Sequence, residues 1–312
     1  MTVAVVGAGI SGAACARALQ EAGVGVTLLD RGRVPGGRLA SRRIDGRPVD
    51  LGASYLTCRD ARFSAVVDDW CARGLAHPWT DAFHEATPAG LGGRKTGPVR
   101  FGTPGGMRSL VADLLAPLEV TQQVHVSSVG PGPVVDGRAY DAVVLAMPDP
   151  QALPLLVDLP HERAQLVDRA WEPVLALAAR FPARTWDLDG CFVAGSDVLG
   201  WIADDGRRRG DGAPVLVAHS TSALAAGHLA DPSAAGPELL DALRSLLGIP
   251  VAPEWSFVQR WTYARPVNVR EMPYWLGDSG VSLCGDGWGS PRVETAWLSG
   301  HLLGQALAAR LG

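Results

Sequence analysis

The chain has 312 residues, of which 47% are hydrophobic and 19% charged, so it can bury the core of one large or two medium domains. Its net charge of −4 excludes the strongly basic surface typical of nucleic-acid-binding proteins. Its five cysteines form no C-x-x-C pair, which argues against a disulfide framework or a metal site. No apolar run reaches the roughly 18 residues of a membrane span, and no basic segment precedes the N-terminal apolar run. We therefore expect a cytoplasmic protein with neither nucleic-acid nor membrane partners.

The first thirty residues predict a β-α-β unit. Residues 3–6, "VAVV", are typical of a buried parallel strand, and small and apolar residues recur at helical spacing over residues 10–22. Residues 24–30, "VGVTLLD", predict a second strand that ends in an acid.

The loop between the first strand and the helix is built to hold a dinucleotide. Gly7, Gly9 and Gly12 follow the G-x-G-x-x-G spacing, which permits a tight turn, close approach of a pyrophosphate, and close packing of helix on strand. The N–H groups at the helix N-terminus then face the phosphates. Asp30 lies where a carboxylate can bind ribose hydroxyls and repel a 2′-phosphate. This loop alone leaves FAD and NAD both open.

Further along, the segment 59–100 shows no strong period. A helix is predicted within residues 103–118, and strands within 124–129 and 140–148. Residues 174–181, 191–195 and 213–219 predict strands, and residues 236–248 predict a helix. The arginines of "DDGRRRGDG" (204–212) predict a solvated hairpin turn, with contact to a substrate phosphate as the alternative. Residues 280–286 predict a last strand, followed by a terminal helix within 291–312.

Motifs distributed over the whole chain resemble those of amine-oxidase-like FAD proteins. Residues 31–38, "RGRVPGGR", resemble the extended flavin fingerprint of that superfamily, and "DLGASYL", "GTPGGM", "VHVSSV" and "CGDGWGSPRVETAWLSG" follow in its order. Within the superfamily, "GASYLTCRD", "WTYARP" and the segment ending at Gly300 are most similar to the bacterial renalase-like group.

The resemblance implies an α/β fold with a discontinuous, Rossmann-like FAD-binding domain and an inserted α+β substrate domain on a mostly antiparallel sheet. We expect the FAD-binding domain to comprise residues 1–57, 102–152 and 279–312. The substrate domain is expected to comprise residues 58–101 and 153–278.

The resemblance also implies how FAD is held, without a covalent link. The glycines and Arg38 would line the pyrophosphate, Asp30 would bind the adenosine ribose, Val126 would hold adenine, and Asp286 would meet the ribityl chain or pyrophosphate. The start of the last helix would stabilise negative charge on the reduced flavin. The expected cofactor-binding residues are Gly7, Gly9, Ile10, Ser11, Gly12, Asp30, Arg31, Gly36, Gly37, Arg38, Gly52, Ala53, Val126, Gly285, Asp286, Val293, Glu294 and Ala296.

For the reaction, the resemblance implies hydride transfer to flavin N5 from 2- or 6-dihydro isomers of NAD(P), with O2 as electron acceptor and NAD(P)+ and hydrogen peroxide as products. The expected substrate pocket residues are Tyr55, Trp261, Tyr263, Arg265 and Trp288. No residue is assigned as acid or base, because a dihydropyridine expels hydride by itself. The only lysine, Lys95, does not lie where amine oxidases carry one near N5. Two alternatives stay open: oxidation of another cyclic amine or specialised metabolite, and a redox-silent flavin isomerase or sensor.

Overall fold

A computed structural model describes residues 1–268 and 270–312 and divides the chain into two compact units. Unit 1 comprises Met1–Leu39, Leu110–Trp171 and Arg265–Gly312, and unit 2 comprises Ala40–Ser109 and Glu172–Ala264.

The described residues form strands and helices in mixed order. The strands are β1 (Thr2–Val6), β2 (Gly25–Leu29), β3 (Ser41–Ile44), β4 (Arg47–Asp50), β5 (His77–Thr87), β6 (Gly90–Gly102), β7 (Val120–Thr121), β8 (Val129–Gly130), β9 (Val134–Val135), β10 (Arg138–Ala139), β11 (Ala142–Leu145), β12 (Trp171–Arg180), β13 (Gly190–Val193), β14 (Leu199–Asp204), β15 (Val215–Ser220), β16 (Trp255–Pro266), β17 (Trp275–Leu276) and β18 (Val281–Leu283). The α-helices are α1 (Ile10–Glu21), α2 (Ala61–Ala72), α3 (Arg108–Leu115), α4 (Asp149–Ala152), α5 (Pro160–Ala164), α6 (Asp205–Arg209), α7 (Ser222–Gly227), α8 (Gly236–Leu247) and α9 (Val293–Leu311).

Unit 1 is built on a six-stranded sheet in the order β17-β18-β11-β1-β2-β7. Strands β18, β11, β1, β2 and β7 run parallel, and β17 pairs antiparallel with β18. The central strands are apolar on both faces, as a parallel sheet covered on both sides requires, and all four residues of β11 are buried. The carboxyl ends of the parallel strands therefore meet at one edge, where α/β sheets bind ligands.

Helices α1 and α9 pack closely against each other in unit 1, and glycines permit the approach. A Cβ at Gly300 would lie 1.9 Å from the carbonyl oxygen of Ser11, and one at Gly304 would lie 2.6 Å from that of Cys15. Since no side chain fits in these gaps, the two glycines set the distance between the helices.

Unit 2 is built on a seven-stranded, mostly antiparallel sheet in the order β16-β12-β15-β14-β13-β5-β6. One face packs on α8 through a core that includes Leu177, Leu216, Leu239 and Leu243. The hairpin β3–β4 contributes Val49 to a second core cluster, which also contains side chains of β12, β15 and β16.

The predicted fold class is confirmed, and most predicted elements form near their expected positions. Two predictions were wrong in detail. The segment 124–129 predicted as a strand is irregular up to Val129, and the hairpin predicted at residues 204–212 is corrected below with the site. The segment 59–100, for which no element was predicted, contains α2 and most of the hairpin β5–β6.

The predicted domain bounds differ from the two units at their junctions. Residues 40–57 and 102–109 fall in unit 2, whereas 153–171 and 265–278 fall in unit 1. Packing explains both differences: Val49 and Leu51 join a core cluster of the seven-stranded sheet, whereas Leu156 and Leu159 join the core of the parallel sheet. The assignment of FAD to one domain and substrate to the other stays a prediction.

We expect Gly300→Ala to lower the free energy of unfolding by about 2 kcal/mol, because overpacking costs about 1–3 kcal/mol and the obstructing Ser11 carbonyl belongs to backbone. Chemical denaturation followed by circular dichroism measures this. Gly227→Ala is the matched control, since a Cβ there would meet no described atom within 4 Å. The control should be neutral or stabilising by up to about 1 kcal/mol through helix propensity. Equal effects of the two substitutions would contradict the packing argument.

Candidate functional site

The glycine loop after β1 has the backbone geometry expected of a dinucleotide site. Gly7 has a φ of +107°, which side chains disfavour, and a Cβ there would lie 2.6 Å from the carbonyl oxygen of Ala146. A Cβ at Gly12 would lie 1.9 Å from the carbonyl oxygen of Gly7. Gly9 is the N-cap of α1 and brings no side chain to its first N–H groups. The helix N-terminus is therefore free to bind an anion such as a pyrophosphate.

Asp30 holds this loop by hydrogen bonds, and it also lies at the position where ribose binding was predicted. One carboxylate oxygen accepts from the N–H of Ala8 at 2.7 Å, and the other accepts from the N–H of Gly32 at 2.7 Å. A carboxylate has about four lone-pair sites, so two remain for ribose hydroxyls. Of these two roles, only ribose binding was predicted from the sequence.

The second glycine pair, Gly36 and Gly37, lies against the glycine loop that follows β1. The N–H of Gly36 donates to the carbonyl oxygen of Ala8 at 2.9 Å, and a Cβ at Gly37 would lie 3.2 Å from the Cα of Gly9. Both glycines have positive φ, +136° at Gly36 and +53° at Gly37. The two loops thus form one glycine-walled cradle, which fits the close approach of a diphosphate.

Arg38 and Asp286, predicted separately as cofactor contacts, form a bidentate ion pair. The two guanidinium nitrogens donate to the two carboxylate oxygens at 2.7 and 2.5 Å. The guanidinium also lies over the Trp171 ring, 5.1 Å from its centroid. The N–H of Gly285 donates to Ser299 of α9 at 2.9 Å, so the segment after β18 is held from two directions.

A buried ion pair next to this segment was missed by sequence analysis. Arg270 donates to Asp149 at 2.9 Å and to the carbonyl oxygen of Gly287 at 2.9 Å, and its guanidinium lies 4.1 Å from the centroid of the Trp288 ring. Trp171 donates to the same oxygen of Asp149 at 3.2 Å. Burial lowers the pKa of Arg270, whereas Asp149 opposes that shift. The signal available in the sequence was an acid four residues after the end of a buried parallel strand, β11.

The start of α9 supplies the other predicted cofactor residues of unit 1. Val293, Glu294 and Ala296 are buried in its first two turns, and Arg292 is the N-cap. Trp297 is 4% exposed and stacks on His301 at 4.5 Å, which is core packing.

The remaining unit 1 predictions are placed as follows. Ile10 and Ser11 are buried in the first turn of α1, Val126 is buried, and Arg31 is exposed. Trp288 lies in the core under Arg270, and Arg265 is exposed.

In unit 2, the "DDGRRRGDG" segment forms the short helix α6, not a solvated hairpin. Arg208 is 1% exposed and Arg209 5% exposed, because both pair with Asp50 and Asp205. Burial lowers the pKa of Arg208 to about 10, which still leaves it charged at neutral pH. The polar neighbours of these arginines in the sequence led to the prediction of a solvated turn. In the structure, Asp50, which lies far away in the sequence, pairs with both arginines and offsets their charge, so they can be buried.

Tyr55 belongs to an aromatic cluster with Trp79, Phe83 and Trp201. Ring centroids lie 5.3 Å apart for Tyr55 and Phe83, 5.7 Å for Tyr55 and Trp201, and 4.7 Å for Phe83 and Trp201. Of this group, only Tyr55 was predicted from the sequence. The aromatic residues at 79 and 83 are an even number of positions apart, as on one face of a strand, and this spacing could have indicated the cluster.

Trp261 packs elsewhere in unit 2, against Val49 and Leu51, and donates from Nε1 to the carbonyl oxygen of Leu51 at 2.8 Å. Tyr263 is half-buried two residues along β16. The predicted pocket residues therefore occur in both units, with Tyr55, Trp261 and Tyr263 in unit 2.

The described residues contain no group of three or more His, Cys, Asp or Glu side chains that could hold a metal ion. Within the same residues, no helix has the length and apolar character to cross a membrane.

Comparison with protein families matches residues 5–70 to the NAD(P)-binding Rossmann-like domain. This match covers the end of β1, then α1, β2, Asp30 and the second glycine pair. A hydroxyneurosporene desaturase from Rubrivivax gelatinosus is 46% identical over 57 residues, 18% of this chain and 11% of the relative. Polyamine oxidase 5 from Oryza sativa subsp. japonica is 49% identical over 55 residues, again 18% of this chain and 11% of the relative. The matches thus span about a tenth of these two relatives' lengths.

Solved structures resemble the whole chain. Cyclohexylamine oxidase from Brevibacterium oxydans IH-35A has a TM-score of 0.78 at 16% identity, covering 99% of both chains. Putrescine oxidase bound to putrescine has a TM-score of 0.71 at 16% identity, covering 100% of this chain and 99% of that one. The predicted fold and the predicted Rossmann-like nucleotide-binding domain are confirmed by these comparisons.

We expect the buried thiols to resist alkylation in the folded protein. Burial raises the pKa of Cys284 to about 12 and that of Cys191 to about 11, and it also raises the pKa of Cys15. At pH 8, well below these values, almost no reactive thiolate forms at the three sites. Iodoacetamide should first modify the half-buried Cys58 and Cys71, as peptide mass spectrometry can show.

In denaturant all five cysteines should react, which controls for peptide detection. Early labelling of Cys284 in folded protein would contradict its burial and would reopen a covalent flavin link at that position.

Proposed function

We propose that the protein is an FAD-dependent oxidase that takes hydride from a 2- or 6-dihydro isomer of NAD(P). FAD, when bound, would supply the hydride acceptor, N5, and the electrons that reduce O2. The balanced reaction consumes one dihydronicotinamide, one O2 and one proton, and yields NAD(P)+ and hydrogen peroxide. The cofactor is held without a covalent bond.

The cradle of unit 1 supports the cofactor assignment. Its glycines leave space for a diphosphate, and α1 presents its N-terminal N–H groups to that space. Asp30 retains acceptor sites for ribose hydroxyls and carries the charge that repels a 2′-phosphate. Arg38 supplies a cation and Asp286 an acceptor, so a ribityl hydroxyl and a phosphate each have a partner of suitable chemistry.

An aromatic face of the unit 2 sheet supports the proposal that the substrate is planar. Cross-strand partners share a face, and the register pairs Phe192 with Trp201, Trp201 with His219, and His219 with Ala176. Half-buried His219 thus lies beside a tryptophan whose ring also contacts Tyr55, and small Ala176 lies on the next strand beyond His219. Flat rings and partial positive charge both bind well to such aromatic groups.

The position of Lys95 is the single observation that separates this reaction from ordinary amine oxidation. This only lysine lies on β6 with a side chain 76% exposed, and it pairs with Glu85 at 3.3 Å. It is therefore a solvated surface residue. A dihydropyridine nitrogen carries the lone pair that expels hydride, so its oxidation requires no lysine and no strong base.

Oxidation of a cyclic amine is the second candidate, and the likeness in fold to cyclohexylamine oxidase favours it. The two candidates differ in the electron donor that reduces the flavin, and they share the cofactor.

The deciding experiment is anaerobic reduction of the FAD-loaded protein. We expect 2- or 6-dihydro-NAD to bleach the visible flavin absorbance within the mixing time of a stopped-flow instrument. Readmitted O2 should then restore the colour with one hydrogen peroxide formed per substrate.

Ordinary 4-dihydro-NAD, cyclohexylamine and putrescine serve as comparison donors. Bleaching by an amine alone would replace the proposed substrate with the second candidate. Absence of bleaching by every donor would contradict oxidase function, and a purified protein that binds no FAD would contradict the cofactor assignment.

We expect Asp30→Asn to raise the Kd for FAD by about 10- to 100-fold. One of the two N–H donors that Asp30 satisfies would then face an amide NH2 group, and an unsatisfied donor costs about 1–3 kcal/mol. Quenching of FAD fluorescence on titration measures the Kd. Asp45→Asn, in an exposed turn, controls for the loss of charge. Unchanged affinity in Asp30→Asn would show that Asp30 lies outside the cofactor site.

A further inference from the structure

Four arginines among the described residues are at least nine-tenths buried, and one of them has no acidic partner. Three of the four, Arg208, Arg209 and Arg270, each pair with at least one aspartate. Arg100 on β6 is 9% exposed, and its guanidinium forms no ion pair or hydrogen bond with any described residue; Nη1 is fully buried. Because an unpaired buried charge is strongly destabilising, this arrangement indicates an anionic ligand.

An aromatic ring holds the Arg100 guanidinium in place. The guanidinium lies over the ring of Phe83, with its central carbon 4.1 Å from the ring centroid. The N–H donors of a guanidinium lie in its own plane, so contact with an aromatic face does not use them. They keep the forked geometry that matches two oxygens of a phosphate or carboxylate. Phe83 therefore orients a cation whose donors remain available to a ligand.

Phe83 also joins Arg100 to the aromatic cluster of unit 2. Its ring centroid lies 4.7 Å from that of Trp201 and 5.3 Å from that of Trp79. Trp79 Nε1 is a second buried donor without a hydrogen-bond partner among the described residues. Phe192, whose ring lies 5.8 Å from Phe83, is 47% exposed, so the cluster reaches solvent. Aromatic rings and an available cation thus adjoin each other within unit 2.

We propose that Arg100 binds the phosphate nearest the planar ring of the substrate. The proposal rests on the proposed function for the identity of that substrate, and all the residues that carry it belong to unit 2. A dihydronicotinamide nucleotide combines a flat ring with a nearby phosphate, which fits aromatic side chains beside a guanidinium. A substrate ammonium, by contrast, would meet a cation already over Phe83, so the same arrangement disfavours a charged amine.

The proposal also changes which arginine is assigned to a phosphate. The sequence left contact with a substrate phosphate as the alternative role of the arginines in residues 204–212. Arg208 and Arg209 of that segment already have acidic partners, and Arg207 pairs with Asp187 at 2.6 Å. Arg100 lies outside that segment, and its charge has no such partner among the described residues.

The test compares two probes, nicotinamide mononucleotide and nicotinamide riboside, which differ only in one phosphate. Their binding to the full-length protein is measured by isothermal titration calorimetry at saturating FAD, so that neither probe competes for the glycine cradle of unit 1. Arg100→Met removes the charge while keeping a side chain of similar length. Arg42→Met is the matched control, because Arg42 also lies over a phenylalanine ring, 4.0 Å from the centroid of Phe257, but is exposed.

We expect wild-type protein and Arg42→Met to bind the mononucleotide about 10- to 100-fold more tightly than the riboside, the factor that hydrogen bonds to a charged group supply. Arg100→Met should bind both probes equally, with its affinity for the riboside unchanged. If Arg100→Met does not fold, Arg100→Lys decides the question. It keeps the charge without the fork and should reduce the preference at least about 3-fold.

A preference for the mononucleotide that survives in Arg100→Met would overturn the proposal, as would wild-type protein without any preference. Loss of the preference in Arg42→Met to the same extent would also overturn it. Reduction of the bound flavin by 2- or 6-dihydro-NAD tests the proposed function separately. Reduction without an effect of Arg100 leaves the proposed function standing, whereas an effect of Arg100 without reduction leaves the phosphate site and contradicts the proposed reaction.

Discussion

The close approach of backbone segments at the start of α1 is the constraint on which the cofactor cradle depends. Gly12 lies where a Cβ would be 1.9 Å from the carbonyl of Gly7, and Gly37 faces Gly9. Asp30 and Gly36 bind the N–H and the carbonyl of Ala8, so both loops share one backbone unit. The absence of side chains here does two things at once. It allows helix, strand and loop to pack, and it leaves the helix N-terminus open to a phosphate.

Charged groups play different parts in the two units. In unit 1, the Arg38–Asp286 and Arg270–Asp149 pairs surround the segment after β18, at the edge where the parallel strands end. In unit 2, Arg208 of α6 holds the carbonyl oxygen of Ser54. Each arrangement fixes the position of a backbone segment, and neither adds much stability, because the cost of burying paired charges roughly cancels their attraction.

How far the sequence predicts this molecule depends on the distance between interacting residues. The glycine spacing, the strand-terminal acid and the helix that follows are local patterns, so the cradle was predictable. Arg208 and Arg209 were expected in solvent, because their neighbours are polar and their partner Asp50 lies 159 residues from Arg209. Arg270 and Asp149, 121 residues apart, carry no local pattern that joins them. Trp261 was predicted from a motif as a substrate pocket residue, which stays a prediction, and its hydrogen bond to Leu51, 210 residues away, has no local pattern in the sequence.

Trp201, Arg208 and Trp261 hold the segment Leu51–Ser54 by hydrogen bonds, and this has a consequence for how the protein is made. The hydrogen bonds to this segment come from residues 147 to 210 positions later in the chain. During synthesis from the N-terminus, the segment leaves the ribosome long before α6 and β16 exist. Contacts of such large sequence separation form late. A chain that stops before β16 therefore has the glycine cradle without the hydrogen bond from Trp261 to Leu51.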